Sequence, residues 1–265
     1  MKIGFIGLGN MATAMIGGML EKGLVTSGDI IGSAKTTATI EKIMTRFNIT
    51  TVSENRKVAE EADVLFLAVK PIFLSEVIEE IKDVVRPETL IVSIAAGRTL
   101  AYLREAFGRP ELKLVRCMPN TPALVMEGCT GICAGADVTE EELQRIVGLM
   151  EAFGKASVVP ERLMDVVVGV SGSSPAYVFM FIEAMADEAV AAGMPRKQAY
   201  EFAAQSVLGS AKMVLETGKH PGELKDMVCS PGGTTIEAVK VLEEKGFRAA
   251  VMDAMEACIE KSKNM

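Results

Sequence analysis

Lys2-Ile3-Gly4-Phe5-Ile6 runs directly into Gly7-Leu8-Gly9-Asn10-Met11-Ala12, and a stretch with helical spacing continues to Glu21. A short β-branched run that meets closely spaced glycines and then turns helical is the strand–turn–helix of a dinucleotide site. Gly7 permits the tight turn. Gly9 lets backbone N–H groups approach a pyrophosphate, and the small Ala12 lets the helix pack close to the strand. The helix N-terminus then presents unpaired donors and partial positive charge to the anion. A plain tight turn uses the same glycines, so the reading depends on what lies downstream.

Downstream, apolar runs recur at residues 30–31, 63–69, 90–94 and 112–116. Between them lie segments such as 75–85, with Val77, Ile78, Ile81, Val84 and Val85 on one helical face. This alternation predicts βαβ units, hence an α/β fold whose Rossmann-type parallel sheet carries helices on both faces. A shorter strand fits 130–136, and a helix fits 140–153 behind Thr139 as N-cap. After about Ala156 only helices are expected, over 161–170, 175–192, 196–216, 234–244 and 247–263, with Gly193, Gly218 and Gly246 at their C-caps. The expected domains are residues 1–158, which bind a dinucleotide, and residues 159–265, all helical.

The stretch 176–192 is apolar on more than one face, through Tyr177, Val178, Phe179, Met180, Phe181, Ile182, Met185 and Val190. Such a helix belongs in a large core or a subunit interface, so a homo-oligomer is expected. The longest uncharged run, 166–182, is interrupted by Ser171-Gly172-Ser173-Ser174-Pro175 and reads as two buried helical segments around a turn, not as a membrane span. Twenty-eight basic against 35 acidic residues give a net charge of −7, which argues against nucleic acid or an anionic membrane as partner. Five cysteines and a strand at the start, with no leader pattern, suggest a reducing cytoplasm. A single histidine, His220, excludes a site built on several. Cys129 and Cys133 have no second pair to complete a zinc site, so no metal is expected.

Cofactor type is read at the end of the second strand, where NAD enzymes usually place an acid and a 2′-phosphate needs cations and hydroxyls. Ile30-Ile31-Gly32 ends in Ser33-Ala34-Lys35-Thr36-Thr37, with no acid, so NADPH is preferred and NADH possible. Lys35 and Thr36 also suit the solvated start of the next helix. Asn55 can reach the adenosine end. The fourth strand ends Ala68-Val69-Lys70-Pro71 and the fifth Ser93-Ile94-Ala95-Ala96-Gly97; ligands in open α/β sheets lie at such carboxyl ends. Lys70 reads equally as a group near the nicotinamide ribose or as a surface lysine before a proline turn.

In the helical half, Ser230-Pro231-Gly232-Gly233-Thr234-Thr235 exposes N–H donors and two hydroxyls at a helix start, a cradle for a carboxylate. Together with Gly7–Ala12, Ala68–Pro71, Met118-Pro119-Asn120-Thr121-Pro122, Ser171–Tyr177 and His220–Asp226, this block resembles pyrroline-5-carboxylate reductase over essentially the whole chain. The resemblance implies a Rossmann domain followed by a helical dimerisation domain. It further implies NAD(P)H-dependent reduction of 1-pyrroline-5-carboxylate to L-proline, the last step of proline biosynthesis, by homodimers often assembled into homodecamers. By the same resemblance, Leu8, Gly9, Asn10 and Met11 meet the pyrophosphate. Ser33, Lys35 and Asn55 surround the adenosine ribose, and Ala68, Val69, Lys70, Ala95, Ala96 and Gly97 line the nicotinamide half. Gly232, Gly233, Thr234 and Thr235 hold the substrate carboxylate, with the Thr235 hydroxyl facing the ring nitrogen as the catalytic group, and Glu161 contacts the substrate region. Met227 replaces a polar residue found in some relatives. Helical residues of one site can come from the partner subunit.

Hydride transfer to a carbonyl makes an alkoxide that needs a proton donor, whereas a protonated cyclic imine becomes a neutral amine. The enzyme then supplies mainly orientation and anion binding. His220 reads as a proton donor beside the loop or, more simply, as a helix-entry residue before Pro221. Competing readings are a related NADP-dependent imine or β-hydroxyacid oxidoreductase and a non-catalytic NADP(H)-sensing subunit. The hydroxyacid enzymes carry a lysine after the Gly/Ser block, and residues 176–193 contain none.

Overall fold

Strand β1 (Ile3–Ile6) is buried at every position, as a strand covered on both faces must be. The computed structural model describes all residues, Met1–Met265. β2 (Ile30–Ser33), β4 (Val64–Leu67) and β5 (Leu90–Ser93) are likewise buried throughout, and β3 (Thr50–Val52) forms the edge. Strand alternation sends Ile3, Phe5 and Phe66 to one core, with Met15 and Ile16 of helix α1 (Asn10–Glu21). Ile6, Leu65 and Leu67 go to the other core, with Val58 and Ala59 of α3 (Asn55–Glu61) and Ile78 and Ile81 of α4 (Leu74–Ile81). The Phe5 and Phe66 rings stack 4.8 Å apart. Helix α2 (Thr37–Phe47) buries Ile43 alone, and α5 (Leu100–Phe107) buries Leu103 and Phe107.

Eight strands form one sheet in the order β3-β2-β1-β4-β5-β6-β7-β8, with β6 (Lys113–Met118), β7 (Gly128–Ala134) and β8 (Gly154–Val158) completing it. The expected wholly parallel sheet is corrected in one place: β7 runs antiparallel to β6. The connection from Met118 to Gly128 is a 3₁₀ turn (Thr121–Val125) closed by Met126 at φ 64°. It is too short for the crossover that a parallel neighbour requires. Helix α6 (Glu140–Glu151), capped by the Thr139 and Glu142 side chains, then returns the chain so that β8 lies parallel to β7. β8 was not expected, because Gly-Lys-Ala-Ser-Val holds one β-branched residue.

Residues 161–191 form a continuous helical stretch, which corrects the expected turn at 171–175. A 3₁₀ turn (Glu161–Leu163) leads into α7 (Met164–Val167), a π segment (Val168–Gly172) and α8 (Ser174–Ala191). Pro175 has no N–H for the Ser171 carbonyl, and Asn120 Nδ2 donates to that carbonyl instead, at 2.9 Å. By length and composition this helix could cross a membrane; 11% of its most apolar window is buried within the chain.

The chain divides into two compact units, Met1–Ser173 with Cys258–Met265, and Ser174–Ala257. That division differs from the expected boundary at 158/159, since the residues up to Ser173 and the last turns of the chain pack with the sheet. The second unit holds α8, α9 (Arg196–Thr217), α10 (Pro221–Val228), α11 (Thr234–Glu244) and most of α12 (Phe247–Lys263). For α10 only the helix entry at Pro221 is legible in the sequence, and not its span. Within this unit only Ala186, Ala199 and Ala203 are buried apolar residues, while Phe179, Met180, Phe202 and Leu215 are each more than 60% exposed. The expected burial of 176–192 is therefore not achieved inside one chain.

Candidate active site

The strand order reverses at β1, with β2 on one side and β4 on the other, and such a switch point opens a crevice at the carboxyl ends of the strands. A cleft of about 580 Å³ lies there. Gly7 ends β1 at φ 94°, and a Cβ on it would come within 2.7 Å of the Ala68 carbonyl oxygen. Only glycine lets β1 turn this close to β4. A Cβ on Gly9 would meet no protein atom within 4 Å. The space beside it therefore serves something other than chain packing. Gly9 is the N-cap of α1, with no side chain capping it, so the first N–H groups of α1 have no side-chain acceptor there.

The cleft brings together Gly7, Leu8, Gly9, Asn10, Ser33, Lys35, Thr36, Asn55, Val69 and Lys70. Ser33 is fully buried, and its hydroxyl donates to Asn55 Oδ1 at 2.7 Å. Thr36 lines the cleft and caps α2, with its Oγ1 2.9 Å from Thr39 Oγ1. The Lys35 ammonium lies over the Phe73 ring, 5.6 Å from the centroid. Open room beside Gly9, free N–H donors and cations without carboxylate partners fit a phosphorylated dinucleotide.

Other expected cofactor residues lie outside the cleft lining. Met11 packs against the core beside Ala12. Ala68 donates its N–H to the Ile6 carbonyl at 2.8 Å, and Pro71 opens a 3₁₀ turn (Pro71–Phe73). Ala95 is buried, Ala96 and Gly97 follow it, and Gly97, at φ 69°, lies against Met265. Residues that sequence reasoning missed include Thr39 and Lys42 of α2 and Phe73, Glu76 and Glu80 around α4. Thr39 was legible as the residue three beyond Thr36. Glu76 and Glu80 were not, because α4 advertises itself only by its apolar face.

Glu161 was expected near substrate. Its Oε1 accepts from the Leu100 N–H and from Arg116 Nη1, both at 2.7 Å. Arg116 is 6% exposed, so this ion pair neutralises a buried guanidinium and anchors the start of α5. In the second unit, Gly233 N–H donates to the Ser230 carbonyl at 3.0 Å, and Gly232 takes φ 67°. This turn delivers Thr234 and Thr235 as the first residues of α11, with Gly233 as N-cap and no side-chain acceptor for the leading N–H groups. Gly232, Gly233, Thr234 and Thr235 thus present a donor-rich, open helix start. His220 caps α10, its Nδ1 accepting from the Gly222 N–H at 3.0 Å, which is the helix-entry role.

Comparison with known proteins places these features in context. Residues 161–265 match the family described as pyrroline-5-carboxylate reductase dimerisation, and residues 2–97 match NADP oxidoreductase coenzyme F420-dependent. A pyrroline-5-carboxylate reductase of Escherichia coli K12 is 54% identical over 264 residues, covering 100% of this chain and 98% of that one. The solved pyrroline-5-carboxylate reductase of Coxiella burnetii superposes with a TM-score of 0.91 at 34% identity, covering 99% of this chain and 97% of that one. A Plasmodium falciparum pyrroline carboxylate reductase, solved with NADP bound, gives 0.89 at 32% identity, with the same coverage of both chains.

Proposed function

The chain belongs to the pyrroline-5-carboxylate reductase family, and on that premise we propose that it uses NADPH in preference to NADH and holds its substrate at the Gly232–Thr235 helix start. As a member it is an NAD(P)-dependent oxidoreductase that reduces 1-pyrroline-5-carboxylate to L-proline, the final step of proline biosynthesis. The observation that carries the NADPH reading is the end of β2, which runs into buried Ser33, Lys35 and the Thr36–Thr39 hydroxyl pair and itself supplies no acid. The NADP bound to the Plasmodium relative supports it.

The reduced nicotinamide supplies a hydride and leaves oxidised. The chain's own residues position and neutralise. In this reading Gly7, Leu8, Gly9 and Asn10 receive the pyrophosphate on the N–H groups of α1. The leading N–H groups of α11 and the Thr234 hydroxyl receive the substrate carboxylate, and Thr235 orients the ring nitrogen. One hydride joins the imine carbon of a substrate that already carries its proton on nitrogen, so the product amine is neutral and no strong protein acid is needed. Glu161, engaged by Arg116 and Leu100, shapes the region through the start of α5.

Self-association through the 161–265 region follows from its family match. The larger assembly we propose is a pentamer of dimers, in a cytoplasmic protein without membrane or nucleic-acid partners. The free state of all five cysteines supports that compartment. The dimerisation match over 161–265 supports a protein rather than a lipid neighbour for the apolar exterior of α8 and α9. Following NADPH and NADH oxidation with pyrroline-5-carboxylate, a related cyclic imino acid and a ketoacid tests the reading. Faster turnover of the imines with NADPH is expected, and a preference for NADH would refute the cofactor assignment. Thr235→Ala should lose turnover with cofactor binding intact; unchanged kinetics would remove Thr235 from the site.

A further inference from the structure

In many NAD enzymes the ribose hydroxyls are held by an acid at the end of the second strand. Here Ser33 occupies that end. Its hydroxyl donates to Asn55 Oδ1 at 2.7 Å, and Asn55 Nδ2 in turn donates to Glu80 Oε2, also at 2.7 Å. Ser33, Asn55 and Glu80 all line the cleft. The carboxylate absent from β2 is thus brought to the same place by α4. Its charge is not spent on a salt bridge: Arg56 engages the Glu80 main-chain carbonyl, at 3.0 Å, and no cation pairs with the carboxylate. Elsewhere on the same cleft Lys35 and Lys42 also lack carboxylate partners.

We propose that Glu80 is a specificity-determining residue for the cofactor, accepting the adenosine ribose hydroxyls of NADH and opposing a 2′-phosphate. A carboxylate has acceptor sites for both hydroxyls of a vicinal diol, whereas a phosphate in place of one hydroxyl brings like charge and no donor. Cofactor choice is then a balance between Glu80 on α4 and the lysines at and after the end of β2. This rests on the dinucleotide reading of the cleft and deepens it, since it gives a chain that favours NADPH a group to hold NADH as well.

The test is Glu80→Gln, which removes the charge and keeps an acceptor for Asn55 Nδ2. Dissociation constants for NADH and NADPH are read by nicotinamide fluorescence on the intact oligomer without substrate, with melting temperature as the folding control. NADH should weaken about tenfold, the scale of one hydrogen bond to a charged group, while NADPH binds as well or better. Glu80→Lys should move the ratio further in the same direction. Equal weakening of both cofactors would reduce Glu80 to an orienter of Asn55, and no change, or loss of NADPH alone, would also overturn the proposal. The wild-type NADPH:NADH ratio judges the NADPH preference separately, so the two readings can fail independently.

Discussion

Lys35 holds its ammonium against an aromatic face and not a carboxylate, an arrangement worth little in water and readily exchanged for a phosphate. Lys35→Asp should therefore raise the NADPH dissociation constant by at least about tenfold and leave NADH within about threefold, as expected when one charge-assisted contact is lost. An equal loss with both cofactors would remove Lys35 from the 2′-phosphate site. Cys133 makes a different prediction. Burial pushes its thiol from an ordinary 9.0 up to about 11, with Arg116 opposing and Glu161 adding to the shift; burial pushes Cys117 the same way. The folded chain keeps the proton where the unfolded chain releases it. Stability is thus present below about pH 9 and lost as pH rises toward 11. Urea denaturation at pH 8 and 10 should show a smaller loss for Cys133→Ala than for wild type; parallel losses in the two proteins would contradict this.

At the scale of elements, Asn120 carries two jobs. Its Oδ1 accepts the Cys129 N–H at 2.8 Å, and its Nδ2 satisfies the Ser171 carbonyl left over by Pro175. Asn120 is 7% exposed, so Asn120→Ala should cost about 1–3 kcal/mol by stranding two buried polar groups, measurable as a lower urea midpoint. A midpoint unchanged from wild type would show that the π segment does not depend on it. The same element shows where sequence reading stops. Ser-Gly-Ser-Ser-Pro looks like a break because each residue disfavours a helix alone, and the helix continues because a residue some fifty positions away repairs the missing bond. β8 was invisible for a related reason: its pairing with β7 comes from sheet position, not local propensity. By contrast β1, α1 and the Gly7 turn were legible, since burial on both faces and a positive φ each impose a local residue pattern. Of the candidate site, the backbone-determined part at β1 and β2 was legible, whereas Lys42, Glu76 and Glu80 enter only through the packing of α2 and α4.

For the whole molecule, the helical unit leaves Met180 69% and Phe202 63% exposed, more apolar surface than a lone chain keeps without a partner. Replacing both by Glu should lower the molar mass in light scattering toward a smaller assembly and lower the melting temperature, while cofactor binding to the sheet unit is retained. An unchanged mass would place the subunit contact elsewhere. The sequence alone determined the class of the fold, the glycine turn between β1 and α1, the absence of an acid at the end of β2, and the excess of apolar surface in the C-terminal helices. Those features are written in period, in residue size and in the conformations only glycine tolerates. The tertiary structure alone decided that the 161–191 helix is continuous, that Glu161 neutralises Arg116, and that Glu80 is linked to Ser33 through Asn55. Each of these joins residues distant in the chain, and no local pattern records a contact whose partner is set by packing.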